Sequence, residues 1–233
     1  MAEQDSQLQA RYDELWSAAR TAFQRGQVAI DPHLGDKASD RRRGLSVIIR
    51  PAPAVAEQVT RFLQELACLE PEQYYYRGDE LHVTVLSLFT STPDYQPQYE
   101  RLAAYMEAVD RAVDGAIPFT IRFAGVTAAP GAVLMQGYPD SSQLACLRER
   151  LRASLRKAGL GDGLDERYRL ATAHMTAMRF ATQPRALPAL VETLTAYRTH
   201  TFGGSAVTEL LLVKNDWYMS AGRVHVVKRY RLG

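Results

Sequence analysis

Leu81-His82-Val83-Thr84-Val85-Leu86-Ser87-Leu88-Phe89 and Ala173-His174-Met175-Thr176-Ala177 are the two stretches that decide the fold. The first is rich in β-branched and large apolar residues and predicts a strand over residues 81–89. The second lies inside a run, residues 169–180, that predicts another. Side chains at i and i+2 of a strand share a face, so His82 projects with Thr84, and His174 with Thr176. Leu81, Val83 and Val85 point the other way, as do Ala173, Met175 and Ala177, which gives each His-Thr pair an apolar backing that anchors it to a core.

Working outward, residues 45–49 (Leu-Ser-Val-Ile-Ile) read as a strand, and residues 54–66 as a helix with Val55, Val59, Phe62, Leu63 and Leu66 on one face. Residues 98–113 read as one helix that starts after Pro97. Residues 119–126 and 132–136 are strands joined through Pro130-Gly131, and residues 144–160 form a charged amphipathic helix. A loop over residues 161–166 leads to the second motif strand. A helix over residues 187–197 and strands over 207–213 and 224–230 complete the chain. The order strand, helix, His-bearing strand, helix occurs twice, which predicts an α+β fold of two lobes, with antiparallel sheets related by a pseudo-two-fold and flanking helices around a central cleft. Ahead of this domain (residues 44–233), residues 1–43 read as an extension. It holds a helix with Leu8, Tyr12, Leu15, Trp16, Ala19 and Phe23 in one stripe, a stop at Gly26, and a polar loop ending in Arg41-Arg42-Arg43.

The bulk numbers narrow the class. The chain has 233 residues, 46% hydrophobic and 23% charged, as in an ordinary globular protein. Its formal net charge of +2 is too small for a broad basic nucleic-acid surface, though a local basic cleft fits it. The polar start lacks the apolar core of a secretory signal, and no run approaches the ~20 apolar residues that cross a bilayer. A cytoplasmic location is therefore expected; the oligomeric state is not fixed. Cys68 and Cys146 sit in apolar helical contexts and read as buried free thiols, and no metal-ligand spacing accompanies them.

Of the five histidines, His33, His82, His174, His200 and His225, only His82 and His174 have threonine two positions on. With threonine at roughly 6% of positions, two such coincidences have odds on the order of 3%. The chemistry gives the pattern meaning. Cleaving a cyclic phosphodiester needs a base for water and an acid for the leaving alkoxide. Imidazoles titrate near neutrality and suit both tasks. Each threonine hydroxyl can donate to a phosphate oxygen. Such a site needs no metal and no other cofactor.

His82-Val83-Thr84-Val85 and His174-Met175-Thr176-Ala177 resemble the paired motifs of the 2H phosphoesterase superfamily, which includes 2′,5′ RNA ligase-like proteins and cyclic nucleotide phosphodiesterases. The second motif departs in ending on the small Ala177. The resemblance implies a two-lobed fold and His82, Thr84, His174 and Thr176 as catalytic residues. It also implies an activity on cyclic phosphates or 2′,5′-linkages, with a nucleotide or RNA end as substrate. It does not say which histidine is base and which acid. Two other classes compete: a nucleotide- or RNA-binding module without turnover, and acid–base isomerisation of a non-phosphate substrate.

Tyr76, Arg179 and Tyr218 are candidate substrate-binding residues. Tyr74-Tyr75-Tyr76 can stack on bases, but ordinary packing is the simpler reading. A regular strand would put Arg179 on the face opposite His174, reaching the site only from the strand's end. Trp217 and Tyr218 either cover a nucleobase or cap the sheet. Arg41-Arg42-Arg43 reads as an exposed charge run, Asp31 and Asp40 as turn or helix caps, and His33, His200 and His225 as surface or structural.

Overall fold

A computed structural model describes residues 2–165 and 169–233. One nine-stranded sheet, antiparallel at every pairing, runs in the order β7-β4-β5-β6-β3-β1-β8-β9, with β2 beside β6. The strands are β1 (Arg43–Ile49), β2 (Tyr74–Tyr75), β3 (Val83–Thr92), β4 (Phe119–Ala129), β5 (Ala132–Pro139), β6 (Met175–Arg179), β7 (Thr201–Val207), β8 (Glu209–Asp216) and β9 (His225–Arg231). The helices are α1 (Ala2–Gln24), α2 (Pro53–Leu69), α3 (Gln96–Glu100), α4 (Leu102–Val113), α5 (Gln143–Lys157) and α6 (Leu187–Ala196). The two lobes read from the sequence are the halves of this curled sheet, β7-β4-β5-β6 and β3-β1-β8-β9. They meet through the single register pair Val83↔Met175. Because β3 and β6 pair so briefly, a cleft opens between the halves at the start of both motif strands.

Helices pack across the halves. The helix α2, which follows β1, lies on β7, β6 and α6, while α5, which follows β5, lies on β3 and α4. Their apolar stripes fill one continuous core with Leu45, Val47, Val83, Val85, Met175 and Ala177. At roughly 1.5–3 kcal/mol for each large apolar side chain buried, this core dominates the stability. The helix α1 ends where predicted, with Gly26 at φ +69° closing it onto the Phe23 carbonyl. Its stripe packs against β4, and Trp16, Ala19 and Phe23 join the main core.

Several expectations are corrected. Residues 98–113 form two helices rather than one, with the break at Arg101. Tyr99 is drawn toward the sheet, its hydroxyl donating to the Gly44 carbonyl and its ring beside Phe89. The edge strand β7 was not expected, because Gly203 and Gly204 weaken strand propensity, and the strand predicted at 207–213 is instead β8, offset toward Asp216. Cys68 and Cys146 are exposed free thiols, since the stripes of α2 and α5 turn them outward. The predicted loop at 161–166 is described as turn over residues 162–165, and Glu166 lies outside the described residues. The motif strand predicted over 169–180 shrinks to Met175–Arg179, the stretch that β5 pairs.

Candidate active site

Both histidines stand one residue before their strands, at the point where the sheet halves meet. Continuing the Val83↔Met175 register by one residue each way sets His82 opposite Thr176 and Thr84 opposite His174. The four side chains thus form a square on one face, with the imidazoles on a diagonal. Strand geometry spaces such diagonal neighbours by about 7–8 Å, room for a phosphate between them. All four line one cavity of about 180 Å³, together with Tyr76 and Arg179.

The backbone around each imidazole is fixed. His82 Nδ1 lies 2.8 Å from the Glu80 carbonyl oxygen. A carbonyl only accepts, so Nδ1 carries the proton and the neutral ring presents an unprotonated Nε2. Glu80 is itself held by Tyr74 Oη and by the Arg77 and Ala221 backbone N–H groups. His174 Nδ1 lies 2.7 Å from Thr172 Oγ1, a hydroxyl that donates or accepts, so this ring is free to adopt either tautomer. Gly137 lets the chain before His174 come close: a Cβ there would stand 2.0 Å from the Ala173 carbonyl oxygen. Tyr12 of α1 pins the same spot, its hydroxyl donating to the Gly137 carbonyl and accepting from the Gly137 N–H.

Burial lowers both histidines from 6.5 to about 4. For His82 the hydrogen bond to the Glu80 carbonyl opposes this, and the cations Arg50 and Arg179 reinforce it. For His174 the reinforcement comes from Arg148, His82 and Arg179. Burial therefore keeps both rings neutral at pH 7, and an anion beside them would oppose that shift.

Arg179 corrects the strand-parity argument. A bulge in β6, where Val133 pairs Met178 but Leu134 pairs Thr176, inserts an extra residue. Ala177 and Met178 are consequently both buried, and Arg179 returns to the face of His174 and Thr176. Its Nε donates to Tyr76 Oη at 2.9 Å. Tyr76, 3% exposed, thus anchors the cation more than it offers a stacking surface. Tyr218 does not line the cavity. It is buried, with its hydroxyl accepting from Arg42 at 3.3 Å, and Trp217 takes the lining position.

The Arg41-Arg42-Arg43 run is not a uniformly exposed patch. Arg42 pairs with Asp40 at 2.7 Å and stacks 4.5 Å from the Trp217 ring centre, so the polar loop braces the cavity rim. Asp31 and Asp40 accept backbone N–H groups from His33 and Arg42 in tight turns, as expected.

Arg148 was missed. From α5 its guanidinium donates to the carbonyls of Thr84 and Val85 on one motif strand and of Thr172 beside the other, at 2.8–2.9 Å. It staples the two halves from behind the site. A signal was present: Arg148 lies within the stripe Leu144, Leu147, Leu151 and Leu155, where an arginine must find buried acceptors. Among the described residues no three His, Cys, Asp or Glu side chains converge as a metal-ligand set, and no helix is long and apolar enough to cross a membrane.

A family model described as the 2′-5′ RNA ligase superfamily matches residues 51–217. The chain belongs to the 2′-5′ RNA ligase superfamily. That membership makes it an enzyme of phosphoesterase or ligase type. Solved structures share the fold. E. coli LigT complexed with ATP is 18% identical, with a TM-score of 0.56 over 82% of this chain and 98% of that one. E. coli LigT complexed with 3′-AMP is 20% identical, with a TM-score of 0.55 over 83% and 99%. TT0787 of Thermus thermophilus is 19% identical, with a TM-score of 0.55 over 82% and 97%. No curated protein sequence matches. The superfamily match begins after α1, the polar loop and β1, so the helix that braces Gly137 lies outside it.

Proposed function

We propose that this enzyme cleaves a cyclic phosphate or 2′,5′-linked phosphodiester on a nucleotide or RNA end, using His82 and His174 as base and acid without a metal. The observation that carries the reading is the square of His82, Thr84, His174 and Thr176 on one face of the cleft, with each imidazole's Nδ1 already engaged. Each Nε2 is then the nitrogen left to meet substrate.

The two hydrogen bonds support one division of roles. His82, with its proton fixed on Nδ1, takes the proton from the attacking water. His174, protonated once the phosphate is bound and with the Thr172 hydroxyl able to accept its Nδ1–H, delivers a proton from Nε2 to the departing alkoxide and ends as the neutral ring. The P–O bond to water forms as the bond to the leaving oxygen breaks, and the protons return through solvent. Thr84 and Thr176 donate to the non-bridging oxygens, and Arg179 adds positive charge beside the singly protonated histidine pair. That relatives of this fold were crystallised with ATP, 3′-AMP and NADP+ fits a nucleotide substrate. A cytoplasmic location belongs to the same reading.

The test is hydrolysis of a nucleoside 2′,3′-cyclic phosphate in the presence of chelator. Turnover is expected. Tight nucleotide binding without turnover would instead favour the binding-module reading.

A further inference from the structure

A second cavity, about 580 Å³, adjoins the same site and is not lined by Trp217. It shares His174, Thr176 and Arg179 with the smaller cavity. Its far wall is α1, through Leu15 and Ala18, and its floor is β5, through Ala132 and Leu134. Arg11 and Glu14 of α1 and Arg169 complete its charged margin. The 180 Å³ cavity is small for a nucleotide, whereas ligand pockets commonly measure about 300–1,000 Å³. The larger groove has the size, and its aliphatic walls suit the face of a base.

We propose that this groove, walled by the N-terminal helix, holds the nucleoside whose oxygen leaves the phosphate. The inference rests on the proposed phosphodiesterase reading and deepens it. A phosphate between the two imidazoles has its His174 side open to the groove. The ribose lies on that side, its leaving oxygen beside the acid, and the base continues between α1 and β5. The His82 side faces the smaller, more polar cavity and admits water. The helix thus contributes twice: Tyr12 fixes the backbone at Gly137, and Leu15 and Ala18 form the base-binding wall.

Ala18 is exposed and points into the groove, so it accepts larger side chains without disturbing the core. The experiment measures, by calorimetry, the affinity of the 233-residue protein for adenosine 2′-monophosphate relative to inorganic phosphate. The wild type is expected to prefer the nucleotide. Ala18→Glu and Ala18→Arg should both reduce that preference at least tenfold, because a loss shared by opposite charges is steric. An unchanged preference in both variants, or a loss in Ala18→Glu alone, would overturn the assignment. So would a preference abolished by Trp217→Ala and untouched at Ala18, which would move the base to the other cavity. Binding does not require turnover. A protein that shows the Ala18-dependent preference but hydrolyses no cyclic phosphate would refute the catalytic reading while supporting the groove.

Discussion

Phosphate should convert the histidine pair from an uncharged to a singly protonated state. Burial holds both His82 and His174 near 4, against an ordinary 6.5. An anion about 4 Å from an imidazolium, at the effective dielectric of about 20 that suits protein sites, is worth about 4 kcal/mol. At about 1.4 kcal/mol per decade, that is nearly three decades, enough to carry the first protonation of the pair from about 4 to about 7. The first proton then repels a second, so the complex carries one proton across two rings in about half of the molecules at pH 7 and in nearly all of them a pH unit lower, the state that acid–base cleavage requires. Titrating the imidazole Cε1–H resonances by NMR with and without inorganic phosphate measures this directly. Linkage gives a second readout: phosphate affinity should strengthen about tenfold per pH unit as pH falls from about 7 toward 4, where binding takes up a proton. Histidines that titrate near 6.5 in the free protein, or that phosphate leaves unmoved, would refute the reasoning.

Other consequences follow from the same contacts. The optimum of kcat/KM, which reports the free enzyme, should lie at lower pH than that of kcat, measured in parallel pH profiles. Between pH 6.5 and 4 the unfolded chain binds more protons at these histidines than the fold does. Stability should therefore fall as pH drops through that window, by up to about 3 kcal/mol per histidine before solvent screening in the cleft. His82→Gln/His174→Gln should remove this contribution in denaturant melts. Gly137→Ala pushes against the Ala173 carbonyl and should lower kcat at least tenfold while the protein stays folded by circular dichroism. Arg148→Met leaves the carbonyls of Thr84, Val85 and Thr172 without their donor, so it should cost about 2–5 kcal/mol in unfolding free energy as well as activity.

The motif strands were legible because each spends its alternate residues on the core. Val83 and Val85 are buried as predicted, and so are Met175 and Ala177. The place of Arg179 was not legible, because a β-bulge depends on the partner strand: Leu134 and Val133 of β5 set it, and nothing within residues 174–179 announces it. Trp217 and Tyr218 were recognised as a pair, but which one faces the cavity depends on Arg42, distant in sequence, which pairs with Asp40 and stacks on Trp217. The Tyr12 stripe was read correctly as one helix face, yet its grip on Gly137 joins residues 125 positions apart. Local periodicity identified most of the elements, though not β7 or the break at Arg101, and it placed each His-Thr pair on one strand face. The bulge, the staple and the second wall of the cleft arise from pairings between remote segments.

The most direct test of the central claim is a kinetic cycle on a nucleoside 2′,3′-cyclic phosphate, in chelator, with wild type, His82→Ala, His174→Ala and the double variant. Each single change should lower kcat by about 10²–10⁴, and the double variant should lose far less than the product of the two, because base and acid act in one step. Single variants that fold normally and turn over at the wild-type rate would contradict the account.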